Sequence, residues 1–258
     1  MKSVSVVIPF YNSSQTLERA LSSVMSQSFS RHEVLLVDDG SSPEQAEQLK
    51  EILKKFDSVK LIRMEKNCGA AVARNMGVSH ASGEWIAFLD SDDVWLPSKL
   101  KTCAKYSSGY DFISHEYTEY SASIRNEDYV NMKLKYSDFL LKNRISTPSV
   151  MIRKCIFMPF DEQLRYSEDY AAWLNYFYMG VRAIHLCSKL AHGSKRAYGE
   201  KGLSSHIFSM YNSEVYILYN QFRLKRINLR QVLIIQSFWF AKFVRRFFLI
   251  AIRRIIYA

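Results

Sequence analysis

Residues 85–93 run Trp85-Ile86-Ala87-Phe88-Leu89-Asp90-Ser91-Asp92-Asp93, an apolar segment that breaks into three carboxylates within four residues. The apolar part has the length of a buried β-strand. Carboxylates this close raise each other's pKa, so the arrangement is costly unless a cation or hydrogen-bond donors neutralise them. Such oxygen ligands suit Mg²⁺ or Mn²⁺, which usually complete their shell with substrate phosphates. The alternative is an acidic loop with an aspartate capping a helix that Pro97 opens.

Strand and helix patterns alternate through the first hundred residues. Apolar segments of strand length occupy 4–9, 33–37, 59–62 and 85–89, and apolar residues at helical spacing separate them. This alternation predicts an α/β fold with a mostly parallel sheet flanked by helices. Ligands bind such sheets beyond the carboxyl ends of the strands. Three polar clusters occupy those ends, and we expect them to converge on one crevice: Pro9-Phe10-Tyr11, Asp38-Asp39 and Asp90-Ser91-Asp92.

Length and cysteine usage restrict the class of protein. With 258 residues, the chain is long enough for one large domain or for a domain with an appendage. Met1-Lys2-Ser3 leads directly into a strand-like segment without a cleavage site of small residues, so we expect no signal peptide and a cytosolic chain. Cys68, Cys103, Cys155 and Cys187 lack metal-type or paired spacing, which favours free thiols in a reducing compartment.

The net charge of +10 belongs to the C-terminal tail. The last acidic residue is Glu214. Nine basic residues follow it: Arg223, Lys225, Arg226, Arg230, Lys242, Arg245, Arg246, Arg253 and Arg254. Without them the chain has 26 basic and 25 acidic residues, so the rest is almost neutral.

The same tail is rich in bulky apolar residues. Four of its basic residues between 242 and 253 fall within about a third of a helix circumference, which leaves a wide apolar face. Its longest uncharged run, 231–241, is too short to span a bilayer, but a basic amphipathic helix can lie in an anionic leaflet with Trp239 at headgroup depth. Nucleic acid is disfavoured as a partner, because phosphate binding does not require so many Phe and Ile. The alternative is a terminal helix packed on the body or on a second subunit of a homodimer.

The expected crevice suits a nucleotide sugar. A carboxylate at the end of the second strand, such as Asp39, can accept hydrogen bonds from a base N–H or a ribose hydroxyl, while the later aspartates hold a metal on a diphosphate. The guanidinium of Arg74 could donate two hydrogen bonds at once to the phosphates or to the aspartates. The sequence matches neither a Walker loop nor a GxGxxG phosphate cradle. A nucleotide sugar therefore fits better than ATP or NAD.

Four segments in order resemble the consecutive signatures of family 2 glycosyltransferases, which have the Rossmann-like GT-A fold. They are Val4-Ser5-Val6-Val7-Ile8-Pro9-Phe10-Tyr11-Asn12, Leu36-Val37-Asp38-Asp39-Gly40-Ser41, Gly69-Ala70-Ala71-Val72-Ala73-Arg74-Asn75-Met76-Gly77 and Phe88-Leu89-Asp90-Ser91-Asp92-Asp93. Each is weak alone, but four in order at the family's spacing are highly specific. A fifth segment, Ser167-Glu168-Asp169-Tyr170-Ala171-Ala172-Trp173, resembles the family's Glu-Asp motif. The resemblance thus covers roughly residues 3–205.

The resemblance implies a role for each matching residue. The residues expected to bind the donor are Pro9, Tyr11, Asp39, Arg74 and Asp90. Asp39 would bind the uracil of a UDP-sugar, Tyr11 would lie along the base, and Asp90 would sit by the ribose and diphosphate. Asp92 would be the main ligand of Mn²⁺, favoured over Mg²⁺, with Asp93 beside it.

Several of these positions have structural alternatives. We assign Asp38 to turn chemistry before Gly40, since only one of two adjacent side chains can point into the crevice. Asp93 either supports the metal ligands or starts a helix. Arg74 either contacts the ligand or pairs with Asp90 or Asp93.

The resemblance also implies that Asp169 is the catalytic base. An acceptor hydroxyl is a poor nucleophile near neutral pH, so a carboxylate must take its proton. A metal on Asp92 would neutralise the charge of the leaving diphosphate. A base on one face and a leaving group on the other describe an in-line displacement that inverts the anomeric centre, so an α-linked UDP-sugar would give a β-linked product. The alternative for Glu168 and Asp169 is an acidic pair at a helix N-terminus.

The sequence departs from the family after the Glu-Asp motif. Relatives often have Tyr-Arg-x-His where this chain has Lys195-Arg196-Ala197-Tyr198-Gly199. Tyr198 thus replaces a histidine that would ligate the metal. His192 is a candidate substitute, although a lone His is more often a surface or hydrogen-bonded residue. We expect residues 110–146 to form the acceptor side of the site, although they show no clear pattern.

These observations predict an inverting hexosyltransferase that moves glucose or galactose from UDP to a polyprenyl-diphosphate-linked sugar in O-antigen or other surface-polysaccharide assembly. We expect it on the cytoplasmic face of the bacterial inner membrane as a peripheral protein. The predicted units are a GT-A domain at 1–210, with a nucleotide-sugar half at 1–100 and an acceptor half at 101–210, and a membrane-associating tail at 211–258. The alternatives are a sugar nucleotidyltransferase and a non-catalytic, membrane-docked binding module.

Overall fold

A computed structural model of the chain describes residues 1, 3–119, 132–193 and 206–256. Its strands are β1 (Val4–Phe10), β2 (His32–Asp38), β3 (Val59–Arg63), β4 (Trp85–Phe88), β5 (Asp93–Trp95), β6 (Phe112–Glu119), β7 (Met132–Lys133), β8 (Met151–Arg153) and β9 (Ala183–Gly193). Its α-helices are α1 (Ser14–Met25), α2 (Pro43–Leu53), α3 (Ala70–Ser79), α4 (Lys99–Ala104), α5 (Glu168–Tyr178), α6 (Ile207–Arg223) and α7 (Leu229–Ile256).

Within the described residues the strands form one mixed sheet in the order β3-β2-β1-β4-β8-β6-β9-β5, with β7 paired to β9. The N-terminal strands β3, β2, β1 and β4 are all parallel. Strand β8 is antiparallel to both of its neighbours, β4 and β6, whereas β6 and β9 are parallel. The α/β class is therefore confirmed, and the parallel arrangement belongs mainly to the N-terminal half.

Helices cover both faces of the sheet. On one face, Val6 and Ile8 of β1 pack with Leu17 and Leu21 of α1. On the other face, Val7 lies in the core that includes residues of α3, α5, α6 and α7. A central strand covered on both sides has no solvent-facing positions, which is why β1 is apolar except at Ser5, whose buried hydroxyl donates to Glu33.

The acidic turn follows β4 directly. Asp93 is the first residue of β5, which pairs with β9. Helix α4 begins at Lys99, and the residue at its N-cap position is Ser98. The interpretation of Asp93 as a helix-start residue, and of this loop as an aspartate cap, is therefore wrong. The pairing with β9 keeps Asp93 in extended backbone and delays the helix until after Pro97.

The C-terminal helices pack on the α/β body. Ile217 of α6 and Ile235 of α7 belong to the same core as α3 and α5. Trp239, expected at headgroup depth, is only 2% exposed; its ring contacts Tyr170, and its indole N–H donates to the Leu141 carbonyl at 3.0 Å. That expectation is wrong, because the helix turns the stripe carrying Ile235 and Trp239 toward the protein.

No helix in the described part of the chain combines the length and apolarity needed to cross a bilayer. The boundary predicted between 210 and 211 stays a prediction, and it falls inside α6, which begins at Ile207. All four cysteines lie in the described ranges, and none of them forms a disulfide.

Candidate active site

A cleft of about 900 Å³ opens at the carboxyl ends of β1, β2 and β4. Its lining includes every residue expected to bind the donor, together with Asp92: Pro9, Tyr11, Asp39, Arg74, Asp90 and Asp92. Tyr11 is 49% exposed, so one face of its ring is open to the cleft. Parallel strands bring their carboxyl ends to one edge of the sheet, which explains why residues so far apart in sequence converge.

Asp38 and Asp39 point in different directions, as predicted. Asp38 is fully buried and accepts a hydrogen bond from the backbone N–H of Ser41 at 3.0 Å, which is the expected turn chemistry. The turn requires Gly40, since φ is +67° and a Cβ there would lie 2.4 Å from the backbone of Lys66.

The Asp39 carboxylate faces the loop that precedes α3. It accepts hydrogen bonds from the side-chain amide of Asn67 at 3.0 Å and from the backbone N–H groups of Cys68 at 2.7 Å and Gly69 at 2.8 Å. These donors hold the charge at the N-terminus of a helix. A carboxylate offers about four lone pairs, so these bonds leave capacity for a ligand donor.

Arg74 connects the cleft to the Glu-Asp motif. It is 4% exposed, and its guanidinium donates to Asp90 at 2.7 Å and to Glu168 at 2.6 Å. Of the two structural partners expected for it, the structure selects Asp90 and not Asp93. Arg74 therefore fixes two carboxylates that come from distant parts of the chain while lining the cleft.

The acidic turn divides its carboxylates between the cleft and the core. Asp90 and Asp92 line the cleft, whereas Asp93 is not among the lining residues. Asp93 is buried and accepts a hydrogen bond from the Tyr117 hydroxyl at 2.7 Å. Burial, and then the charge of Asp93, raise the pKa of Tyr117, so its hydroxyl remains a donor. This contact favours a supporting role for Asp93.

Among the residues that the structure describes, no group of three or more His, Cys, Asp and Glu side chains is arranged as a protein-only metal cage. Mg²⁺ and its relatives typically take one or two carboxylates and complete their shell with phosphates and water. Two carboxylates, Asp90 and Asp92, line one cleft and fit that second kind of site. His192 lies opposite Val94 in the β5–β9 pairing, and burial and then Arg19 lower its pKa. Its metal role stays a prediction, and Tyr198 lies outside the described residues.

Asp169 lies at the start of α5 and borders a second pocket of about 640 Å³. Its carboxylate accepts hydrogen bonds from Asn143 at 3.1 Å, Thr147 at 3.3 Å and the backbone N–H of Tyr170 at 2.6 Å. Burial, followed by the neighbouring Glu168 charge, raises the pKa of Asp169, and Arg74 partly opposes this increase. The helix-start interpretation is confirmed, and it is compatible with the role of base, which stays a prediction.

Several site residues were not predicted from the sequence. Arg165 and Asn67 line the cleft at the strand ends. The Arg165 guanidinium donates to the side-chain amide oxygen of Asn67 at 3.0 Å. Asn143 and Thr147 hold Asp169 from a segment without a readable pattern. The position of Arg165, shortly before the Glu-Asp motif, was the only signal for it in the sequence.

Comparison with known proteins identifies the family of the chain. The family model described as glycosyl transferase family 2 matches residues 5–160. The chain is 34% identical over 178 residues to the Escherichia coli protein UDP-Glc:alpha-D-GlcNAc-diphosphoundecaprenol beta-1,3-glucosyltransferase WfgD, covering 67% of this chain and 68% of that protein. It is 32% identical over 201 residues to the putative teichuronic acid biosynthesis glycosyltransferase TuaG of Bacillus subtilis, covering 73% and 77%.

Among solved structures, the chain resembles the crystal structure of S. aureus TarS in complex with UDP-GlcNAc. The TM-score is 0.67 at 22% sequence identity, and the match covers 95% of this chain and 72% of that one. This likeness concerns the fold.

Proposed function

Since the chain belongs to glycosyl transferase family 2 and is a glycosyltransferase, we propose that it moves a hexose from a UDP-sugar to a sugar linked through diphosphate to a polyprenyl lipid. Glucose or galactose is the favoured hexose, and the product is β-linked. The observation that carries the proposal is the pair of pockets, one at the strand ends and one at Asp169, with Arg74 and Glu168 between them. The name of the E. coli relative, which includes diphosphoundecaprenol, supports a lipid-linked acceptor. The name of the B. subtilis relative, which includes teichuronic acid biosynthesis, supports surface-polysaccharide assembly.

The donor occupies the cleft at the strand ends. Its base lies along Tyr11 and bonds to Asp39, whose position is fixed by the α3 loop. Its ribose and diphosphate approach Asp90, which Arg74 holds in place. Pro9 closes the wall beside Tyr11.

Asp92 is the proposed main ligand of Mn²⁺, favoured over Mg²⁺. When bound, the ion supplies neutralisation of charge on the leaving diphosphate. Asp93 supports the turn from beneath through its bond with Tyr117.

Asp169 is the proposed base. The acceptor O–H bond breaks as its oxygen bonds to the anomeric carbon, the bond from that carbon to the diphosphate oxygen breaks, and the proton passes to Asp169 while UDP leaves. Its raised pKa suits this task, because the carboxylate holds an abstracted proton better than an ordinary aspartate does. Attack from the side opposite to the leaving group inverts the anomeric centre.

The proposed location is the cytoplasmic face of the bacterial inner membrane, with the protein held peripherally by its C-terminal helices. Large apolar side chains remain exposed on the described part of α7, including Leu233, Ile234 and Phe238. An exposed apolar surface of this kind marks a membrane or protein interface. A homodimer through the same surface is the competing assignment.

A screen of UDP-sugars with Mn²⁺ and a synthetic N-acetylglucosaminyl-diphosphate lipid tests the proposal. We expect transfer from UDP-glucose or UDP-galactose, a β-linkage by NMR, and a loss of roughly 100-fold or more in Asp92→Ala. The matched control is Asp57→Ala, an exposed carboxylate near the opposite edge of the sheet, which should keep full activity. Transfer from no UDP-sugar, an α-linked product, or full activity in Asp92→Ala would overturn it.

A further inference from the structure

The pocket at Asp169 carries two cations on its rim. Its lining includes Lys142 and Arg144, which flank Asn143, the residue that bonds to the base. Both cations are exposed, and neither forms an ion pair or hydrogen bond with any of the described residues. Elsewhere in the same pocket Glu116 pairs with His185 at 3.2 Å. These two cations, which have no partner among the described residues, lie in the same pocket lining as Asp169 and would suit an anion bonded to the acceptor sugar.

An apolar surface begins immediately beside these cations. Leu141, next to Lys142 in the chain, is 41% exposed, and its carbonyl accepts the indole N–H of Trp239. Helix α7 therefore passes beside Leu141. The residues on either side of Trp239, Phe238 and Phe240, are exposed by 46% and 54%.

The order of these features matches the order of groups in a lipid-linked sugar. Asn143, which bonds to Asp169, is flanked in the chain by Lys142 and Arg144, and Leu141, which contacts Trp239 of α7, comes directly before Lys142. A sugar–diphosphate–lipid has a hydroxyl-bearing head, an anionic middle and an apolar end in the same sequence. Arg suits such a diphosphate because its fork bonds two phosphate oxygens at once, and Lys adds a compact charge.

We propose that Lys142 and Arg144 bind the diphosphate of the acceptor, and that its lipid leaves the pocket over Leu141 along α7. This inference rests on the proposed function and names the part of the acceptor that is recognised. The diphosphate then fixes how far the sugar reaches toward Asp169, so recognition of the anion also places the reacting hydroxyl.

The test compares two acceptors that carry the same sugar. In one the sugar is linked to an alkyl diphosphate, and in the other it is an uncharged alkyl glycoside. We expect wild-type protein to prefer the diphosphate. In the double variant Lys142→Ala with Arg144→Ala, kcat/KM for the diphosphate acceptor should fall by roughly 10- to 100-fold, while the value for the glycoside stays unchanged. The KM for UDP-sugar, and its hydrolysis without acceptor, should also stay unchanged. The control pair is Lys50→Ala with Lys54→Ala, two exposed lysines in surface ion pairs, one in the last turn of α2 and one directly after it.

The outcomes separate the two proposals. If the wild type transfers sugar but the double variant keeps its preference for the diphosphate, or loses both acceptors equally, the diphosphate site is overturned and the transferase function stands. If the wild type transfers to neither acceptor, the proposed function itself fails. A gain for the diphosphate acceptor in the double variant would also contradict the site.

Discussion

Asp169 shows how one carboxylate acquires a chemical role from its surroundings. Its side chain lies at the first turn of α5, where the Tyr170 N–H bonds to one oxygen while Asn143 and Thr147 bond to the other. These donors favour the anion, whereas burial and Glu168 favour the protonated form and dominate, so the pKa rises. The result is a carboxylate fixed in orientation that also accepts a proton readily.

The raised pKa predicts the pH dependence of transfer. Asp169 acts as a base only when ionised, so kcat/KM should be full above its raised pKa and fall as pH drops through it. The midpoint should lie above the value of about 3.9 for an ordinary aspartate. Glu168→Gln removes the neighbouring negative charge and should move the midpoint to lower pH.

A pH–rate profile of wild type and Glu168→Gln measures this shift, and Asp169→Asn should lose roughly 100- to 10,000-fold in kcat. Asp57→Asn is the matched control and should leave the profile in place. A midpoint that moves to higher pH in Glu168→Gln, or an active Asp169→Asn, would remove Asp169 from the role of base.

The adjacent pair Asp38 and Asp39 shows what a residue pattern predicts well. Successive side chains of an extended segment point in opposite directions, so only one could face the cleft. Glycine at position 40 indicated the turn that takes the other. What the pattern left open was the set of three donors that the α3 loop offers to Asp39, because that loop approaches only in the folded chain.

At the scale of elements, α7 is predictable as a helix but its orientation is not. Its apolar residues occur on more than one side, so periodicity alone does not select the packed face. In the structure Ile235 and Trp239 face the body, while Ile234 and Phe238 remain exposed. Packing against the body decides the orientation, since Tyr170 offers Trp239 a ring contact and the Leu141 carbonyl accepts its indole N–H.

Loss of the Trp239 indole should therefore destabilise the protein. Trp239→Ala is expected to lower the free energy of unfolding by about 3–5 kcal/mol, because it empties a buried site and leaves the Leu141 carbonyl without its donor. Urea denaturation measures this change. The neighbouring exposed position provides the control, since Phe240→Ala should stay within about 0.5 kcal/mol. Similar stabilities for both variants would show that Trp239 does not hold α7 to the body.

At the scale of the whole molecule, the exposed apolar and basic residues collect on the C-terminal helices. The nine basic residues after Glu214 account for nearly all of the net charge. Lys242 forms an ion pair with Glu214 at 3.2 Å, so part of this positive charge is neutralised within the protein. Exposed basic residues such as Arg230 and Arg245, together with Leu233, Ile234 and Phe238, suit the surface of an anionic membrane.

This surface predicts binding to vesicles that contain anionic lipid. In a flotation assay the protein should rise with anionic vesicles and much less with neutral ones, and salt should weaken the binding. Ile234→Ser with Phe238→Ser should reduce flotation by roughly 10-fold or more, because two large apolar side chains are lost from the contact. Leu61→Ser, on the edge strand β3, is the control and should float like the wild type.

The competing homodimer is tested by the same variants. Suppose the wild type sediments at the mass of two chains and does not float with vesicles. If Ile234→Ser with Phe238→Ser then reduces the mass to one chain, the surface belongs to a contact between subunits. A single-chain mass together with flotation supports the peripheral location.

The sequence alone determined the α/β class, the family and a group of residues that meet at the cleft: Pro9, Tyr11, Asp39, Arg74, Asp90 and Asp92. It could do so because strand length, helical spacing and strand-end polarity are local properties, and because parallel strands bring their ends together by rule. Only the tertiary structure decided that Asp93 lies beneath the turn, that Arg74 joins Asp90 to Glu168, and that Trp239 is buried. Each depends on partners distant in sequence, whose approach is set by packing and desolvation in the folded chain.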